Sequence, residues 1–584
     1  MNFNAQKYKN DLLFLPLGGA NEIGMNVNLY HLDGKWIMID CGLGFAQDIP
    51  GIDMMTADIS FIRKNKKNLL GIVLTHIHED HLGAVQYLWE QLEVPVYATN
   101  FAANFLRTKL EEFNLHKKVP IHIVDGTKDL NLDPFKIQFV GLTHSVPEMK
   151  ALIIKTHKGN ILHTGDWKFD PDPVVGDVSE KELIKSYGDR GEILAMTCDS
   201  TNSLSPGHSR SEGELHDSLK KLIEGRKGYV GVASFASNLA RIQTIATIAK
   251  EVGRKVVLLG FSLRRLHDVG KQSGYFQGDY EFISDREIKN YKKNEILFIC
   301  TGCQGEPMAA TRKIATNNNR FVKFTKGDLM IFSSKIIPGN EKKIFELFSE
   351  LSKKEIDVIT EKDHFVHVSG HPYQEELKEM YELAKPKLAI PVHGEYIHTK
   401  AHCEIAENAN IQKAIQSQNG SVIKIDKENP SNSKVVGFVQ SGYFGIDGRN
   451  LIDFNSPVIR ERRKLQTSGI VTVSVVVNES LEILSQPSIQ AIGSYDLESD
   501  HTAQNIIREE ITKIFRQKST NRKSNNGNGL NLSFLKKKKR TKARNSAMDT
   551  VKAELTKTLR SKIVTIFEDL MSKRPAVEVI IHIV

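Results

Sequence analysis

The stretch Thr75-His76-Ile77-His78-Glu79-Asp80-His81 decides how the rest of the chain is read. It follows the apolar run Leu69-Leu70-Gly71-Ile72-Val73-Leu74, which reads as a buried strand, and precedes Leu82 to Trp89, which reads as the first turns of a helix. The cluster therefore lies in a strand-to-helix turn, where the loops of α/β layers meet and ligands collect. Three imidazoles and a carboxylate so close together suit borderline divalent cations, zinc above all. In an irregular turn His76 and His78 can face one way while Asp80 and His81 face another, which suits two cations side by side. With 20 His among 584 residues, three at fixed offsets arise by chance roughly 0.02 times.

A His-x-His-x-Asp-His run after a strand resembles the signature of the metallo-β-lactamase superfamily. The resemblance implies an αββα sandwich, two sheets between helices. It does not select a reaction, because hydrolases of β-lactams, thioesters and phosphodiesters share the motif with some redox enzymes.

At 584 residues the chain has room for about two to four domains. Forty per cent hydrophobic and 26% charged residues describe an ordinary globular protein. No apolar run approaches the ~18 residues of a membrane span, and Met1 to Leu17 lacks a signal-peptide core, so no membrane association is expected. Five cysteines (41, 198, 300, 303 and 403) are too few for a disulfide framework, and a reducing cytoplasm is expected. Cys300 and Cys303 form a lone C-x-x-C read as structural, with a zinc or redox role as the alternative. Net charge is +9, yet residues 513–545 hold 12 Lys plus Arg and no acid, leaving about −3 (9 − 12) elsewhere.

Further candidates end other strands. Lys35 to Asp40 runs into Cys41-Gly42, placing the Asp40 carboxylate at a sheet's mouth. Phe135 to Val140 leads to His144 just before Pro147, a third imidazole of the kind a closed site needs. Asn160 to His163 leads to Gly165-Asp166, whose two oxygens can serve two cations; Asp170 and Asp172 are weaker candidates and His163 reads as packing. Ile193 to Asp199 repeats the strand-into-acid pattern. An α/β-like stretch of roughly 170 residues then precedes His367-Val368-Ser369-Gly370-His371 and Pro391-Val392-His393-Gly394-Glu395. Within it, Ser234-Phe235-Ala236-Ser237-Asn238 follows a strand and offers hydroxyls and backbone N–H groups to a phosphate; a helix cap reads the same way.

Together with Gly18-Gly19-Ala20-Asn21-Glu22-Ile23-Gly24-Met25-Asn26, these motifs, in this order from about residue 10 to 460, resemble the ribonuclease J family, β-CASP nucleases of the superfamily. Cys300 and Cys303 depart from that pattern without bearing on the cations. The resemblance and the ligand count together assign one cation to His76, His78 and His144, a second to Asp80, His81 and His393, and a bridge to Asp166. Asp40 becomes the group that orients the turn from behind. Zinc is the first expectation, with magnesium or manganese as alternatives. Asp199 and His371 resemble the acid/base pair, with His367 beside them. Phe235, Ala236, Ser237, His367, Val368, Ser369, Gly370 and His371 become contacts to RNA.

The implied organisation is a metallo-β-lactamase domain in two parts, 1–209 and 366–450, a β-CASP domain at 210–365, a linker at 451–468 and a small α/β domain at 469–584. That last domain resembles the family's dimerisation domain, implying a homodimer or homotetramer. It is expected to hold a helix over 502–515, a basic flexible insert at 513–545, a helix over 547–572 and a final strand. The insert reads equally as a solvated loop or as attraction to RNA phosphates. The activity implied is metal-dependent 5′-to-3′ exonuclease (preferring a 5′ monophosphate) and endonuclease action on RNA, in decay and in rRNA and mRNA maturation. The rivals are a β-CASP enzyme acting on DNA, a hydrolase of small thioesters or lactams, and a catalytically dead RNA-binding scaffold.

Overall fold

Phe14 faces one core while its neighbours Leu13 and Leu15 face another. A strand buried on both faces belongs inside a layered α/β structure. The computed structural model describes residues 3–525 and 537–584 apart from 277, 279 and 338, and no side chains in 521–525 or 537–547. It has two units, Met1–Phe45 with Met54–Leu451, and Ala46–Asp53 with Ile452–Val584.

In the larger unit, an eight-stranded sheet runs in the order 434–438, 421–424, 13–18, 27–32, 35–39, 69–73, 96–98, 121–123. A seven-stranded sheet runs 413–414, 388–392, 193–199, 160–163, 150–155, 135–141, 130–132. The two enclose a shared core that includes Phe14, Tyr30, Ile39, Ile137, Leu152 and Ile390. Helices Val85–Leu92 and Asn100–Glu112 cover the first sheet's other face. Helices Lys181–Asp189, Gln374–Ala384 and Tyr396–Asn408 cover the second. This is the expected αββα sandwich.

Sheet order sets the site. Strands 160–163, 193–199 and 388–392 are parallel neighbours. Strand 135–141 points the same way, because it and 160–163 are both antiparallel to 150–155 between them. The residues just past these strands therefore emerge at one end of one sheet.

The inserted layer is five parallel strands in the order 255–259, 296–300, 230–233, 329–332, 357–359. Cys300 and Cys303 are free and buried in its core, where burial pushes the Cys303 thiol up to about 12. That favours the packing role over a thiolate ligand.

The smaller unit has a three-stranded sheet in which Ile470–Val477 pairs antiparallel with Ser488–Ile492 and parallel with Ala576–Ile583. Val471, Val473, Val475 and Val477 share a core with Ile507, Ile511, Leu555 and Phe567 from the helices. Where a linker is expected, Pro457–Ser468 forms a helix capped by the Ser456 hydroxyl. The following helices run His501–Asn525 and Lys537–Met571, so 513–525 and 537–545 of the basic stretch are helical. The remainder of that expected flexible insert, 526–536, lies outside the described residues. Among the described residues, no helix is long and apolar enough to cross a membrane.

One buried cation joins the insert to the sandwich. Arg241, fully buried in the first turn of helix Leu239–Glu251, donates to both Glu212 oxygens at 2.7 and 3.0 Å and to the Ser333 carbonyl at 2.9 Å. The Ser333 hydroxyl in turn donates to the Val366 carbonyl at 2.6 Å. Glu212 and Val366 lie where the chain enters and leaves the insert. Removing one partner strands a buried charge, so Arg241→Met is expected to destabilise the larger unit by about 3–5 kcal/mol. Urea unfolding beside Arg241→Met/Glu212→Leu checks this: the double variant should recover part of the loss.

Candidate metal centre

The histidine-rich turn is held from behind by Asp40, which is buried and left-handed at φ 62°. Its Oδ1 accepts from the Thr75 N–H at 2.8 Å; its Oδ2 accepts from the Thr75 hydroxyl at 2.8 Å and His81 Nδ1 at 2.7 Å. The backbone is pinned too: Cys41 N–H donates to the His81 carbonyl at 2.6 Å and Asn26 N–H to the Asp80 carbonyl at 2.7 Å. A Cβ on Gly42 would lie 1.8 Å from the Asp80 carbonyl, so only glycine allows that approach.

These partners assign the imidazole tautomers. The Thr75 hydroxyl spends its proton on Asp40, so it accepts from His76 Nδ1 at 3.0 Å and leaves His76 Nε2 as a lone pair. His144 Nδ1 donates to the Gly370 carbonyl at 2.6 Å, leaving its Nε2 free. His78 Nε2 faces the Ser145 hydroxyl at 3.3 Å, leaving Nδ1. The three free nitrogens converge, with His78 Nδ1 at 3.1 Å from both His76 Nε2 and His144 Nε2. Three acceptors cannot hydrogen-bond one another, and protonating them would crowd positive charge. Burial, followed by neighbouring imidazoles, holds His76 and His144 well below the ordinary range; burial lowers His78 to about 4. A divalent cation fits this donor set.

A second group lies beside the first. Asp166 stands between them: Oδ2 is 3.9 Å from both His76 Nε2 and His144 Nε2 and 3.2 Å from His81 Nε2, while Oδ1 is 3.0 Å from His393 Nδ1. Thr201 repeats the threonine relay, donating to Asp199 Oδ1 at 2.7 Å and facing His393 Nδ1 at 3.3 Å. His393 Nε2 is buried 3.2 Å from Asp80 Oδ2 yet out of line for a hydrogen bond, so it is left unsatisfied. That orphaned nitrogen, with Asp80, His81 and Asp166, suits a second cation. Burial opposes charge on His81 and His393, but Asp166 and the other carboxylates outweigh it and raise both well above the ordinary range.

Asp199 Oδ2 accepts from His371 Nδ1 at 2.7 Å, which leaves His371 Nε2 available. Burial opposes protonation of His371, yet the Asp199 charge and hydrogen bond raise its pKa. Asn202 clamps this turn, donating to the Ser369 hydroxyl at 2.8 Å and the His371 carbonyl at 3.3 Å. His367 Nδ1 at the start of the same turn, and the Ser234 hydroxyl after strand 230–233, are buried without partners. Ser333 ties the two places together, through its N–H to the Ala233 carbonyl at 2.8 Å and its hydroxyl to Val366. The Val368 side chain packs into the core, leaving its backbone for any contact. Phe235, Ala236 and Ser237 are half-buried.

Asp170 pairs with Lys168 at 2.8 Å, and His163 bonds Tyr30 and Thr197 inside the sandwich, so neither joins the ligand groups. Thr75, Thr201, Asn26 and Asn202 escaped the sequence reading. A threonine or asparagine beside a motif carries no signal until its partners are known.

The metallo-beta-lactamase superfamily model matches residues 23–231, the model for the beta-CASP domain of ribonuclease J matches 227–351, and that for the RNA specificity domain of Zn-dependent metallo-hydrolases matches 355–415. Ribonuclease J of Sinorhizobium meliloti is 40% identical over 498 residues, covering 84% of this chain and 88% of that protein. The chain belongs to the ribonuclease J family. Ribonuclease J 1 of Streptococcus pyogenes is 35% identical over 512 residues, covering 87% and 90% of the two chains, and ribonuclease J2 of Bacillus subtilis 32% over 517, covering 87% and 92%. The protein is thus a hydrolase, a metal-dependent ribonuclease, and its superfamily works with divalent metal ions.

Two outcomes are expected. Cation uptake by the second group must displace protons held on His81 and His393, so apparent affinity should rise with pH. Calorimetric titration in buffers of different ionisation enthalpy reads the released protons as buffer-dependent heat. Separately, a Cβ at residue 370 would lie 2.8 Å from the His144 ring. Gly370→Ala should therefore push that ligand aside and lower cation affinity by about tenfold or more, as chelator competition would show.

Proposed function

We propose that this ribonuclease works with two divalent cations, zinc first and magnesium or manganese as alternatives. His76, His78 and His144 would hold one, Asp80, His81 and His393 the other, and Asp166 would bridge them. The observation that carries this reading is the convergence of three imidazole lone pairs beside the orphaned His393 nitrogen. When bound, the cations supply an acidified water and Lewis-acid stabilisation of charge on the attacked phosphate.

The chain's own groups do the rest. Asp199 holds the His371 ring by its Nδ1 proton and favours its charged form. His371 Nε2 can then donate a proton to the leaving 3′ oxygen and take one back in the next cycle. The Phe235–Ser237 turn and the 367–371 turn would receive phosphates. The unpartnered Ser234 hydroxyl and His367 Nδ1 between them support an anion site, because an unpaired buried polar atom is costly unless a ligand satisfies it. Such a pocket for a 5′ monophosphate accounts for 5′-to-3′ exonuclease action. Internal cleavage would need the cation site without that pocket.

The reading extends to RNA decay and rRNA and mRNA maturation in the cytoplasm. It extends also to a homodimer or homotetramer formed through the C-terminal region. The 1–209, 210–365, 366–450 and 469–584 division is part of the same proposal.

The test uses 5′-monophosphate, 5′-triphosphate and 5′-hydroxyl RNAs of one sequence, with the matching DNA as control. Stepwise release of nucleoside monophosphates from the 5′-monophosphate RNA is expected, with triphosphate RNA cut only internally. Digestion from the 3′ end, or equal rates on all 5′ ends, would overturn the polarity assigned. Asp80→Ala should abolish turnover, and His371→Ala should cut kcat by about 10²–10⁴-fold; full activity in either contradicts the mechanism.

A further inference from the structure

The loop Gly18–Asn26 frames the second ligand group at both ends. At one end the Gly19 carbonyl accepts from the His393 N–H at 2.6 Å. His393 is left-handed at φ 52°, a conformation that a non-glycine residue keeps only where its surroundings impose it. At the other end Asn26 bonds the Asp80 carbonyl through its N–H, and its side-chain amide lies 3.0 Å from His81 Nε2. Gly24 lies against the Asp80 side chain, where an added Cβ would be in ordinary contact, 3.5 Å from its Cβ and 3.6 Å from Oδ2. Among the described residues, no hydrogen bond joins this loop to His76, His78 or His144.

Glu22 sits at the middle of the loop with its carboxylate turned inward. Oε1 accepts from the Gly19 N–H at 3.0 Å and from Asn419 Nδ2 at 2.6 Å, and Oε2 accepts from the Tyr443 hydroxyl at 3.0 Å. Asn419 Oδ1 accepts from the Ala20 N–H at 2.9 Å. Glu22 also pairs with Gly394, and Asn21 with Glu395, as isolated bridges beside His393. A part-buried carboxylate whose described bonds all go to loop and frame is committed to holding shape. Here the shape held is the backbone contact that sets His393.

We propose that Glu22 is a positioning residue for the second cation, bracing the Gly18–Asn26 loop so that His393 and Asp80 meet at ligand distance. The proposal rests on the two-cation reading above. It assigns Glu22 to one of two neighbouring cations only, because the loop touches one ligand group and not the other.

The test strips full-length protein with a chelator and titrates Zn²⁺ back against a chromogenic competitor, with elemental analysis for stoichiometry. Wild type should take up two ions. Glu22→Ala and Asn419→Ala should weaken one site by about 10–100-fold and leave the other within about threefold. Glu22→Gln should keep most of the affinity, since its amide oxygen still accepts from Gly19 and its NH₂ can donate to the Tyr443 hydroxyl. In a His393→Ala background, Glu22→Ala should add little further loss. Equal weakening of both sites, no change at either, or a Gln variant as poor as Ala would overturn the assignment while leaving the two-cation reading standing. A wild type that binds one ion would overturn that reading itself. Should Glu22→Ala fail to fold, judged by its melting midpoint, Asn419→Ala and Glu22→Gln carry the comparison.

Discussion

The buried carboxylate of Asp40 is the constraint on which the site depends. Burying a charge is costly unless donors surround it, and here Thr75 N–H, the Thr75 hydroxyl and His81 Nδ1 supply them. In return it fixes where protons lie. His81 must present Nε2, and, through the Thr75 hydroxyl, so must His76. Asp199 and Thr201 do the same for His393 from the opposite side. Carboxylate partners behind imidazoles orient ligands and raise their basicity. Two such relays, one behind each ligand group, account for how a hydrophobic sandwich tolerates so many titratable groups at one end.

Sheet topology supplies the rest of the constraint. His144, Asp166, Asp199 and His393 follow strands of one sheet that run the same way, three of them adjacent and parallel. Each side chain arrives at the same end because the chain leaves each strand there. The insert attaches at this end through the 367–371 turn, whose Gly370 carbonyl orients His144. That turn therefore fixes which His144 nitrogen faces His76 and His78. The buried Arg241–Glu212 pair, with the Ser333 bond to Val366, ties the insert's helix to the segments at its two ends. Membership of the ribonuclease J family fits this architecture.

Much of this was legible in local patterns. Apolar runs ending in His or Asp announced strands with polar mouths, and the six-residue spacing of His76 to His81 announced cation chemistry. The cluster Asp166–Asp199–His371–His393 was approached by the same logic, although its members lie far apart in the chain. The basic stretch shows the limit. Its charge read as flexible, yet 513–525 and 537–545 are helical. Ile507, Ile511 and Phe515 anchor the first helix against the valines of the sheet, and Leu555 and Phe567 anchor the second beyond residue 545. Helix formation is cooperative, so turns anchored at or beyond the ends of the basic stretch extend into it.

By itself the sequence determined the kinds of ligand and the strand ends that carry them, because hydrophobic periodicity and donor chemistry are local properties; the two-sheet layering followed only from the resemblance to a known superfamily. Only the tertiary structure decided which nitrogen of each histidine is free, that Thr75 and Thr201 link carboxylate to imidazole, and that Glu22 bonds Gly19, Asn419 and Tyr443. Those are matters of hydrogen-bond partners tens to hundreds of residues away. No local pattern encodes a partner that the chain meets only after folding.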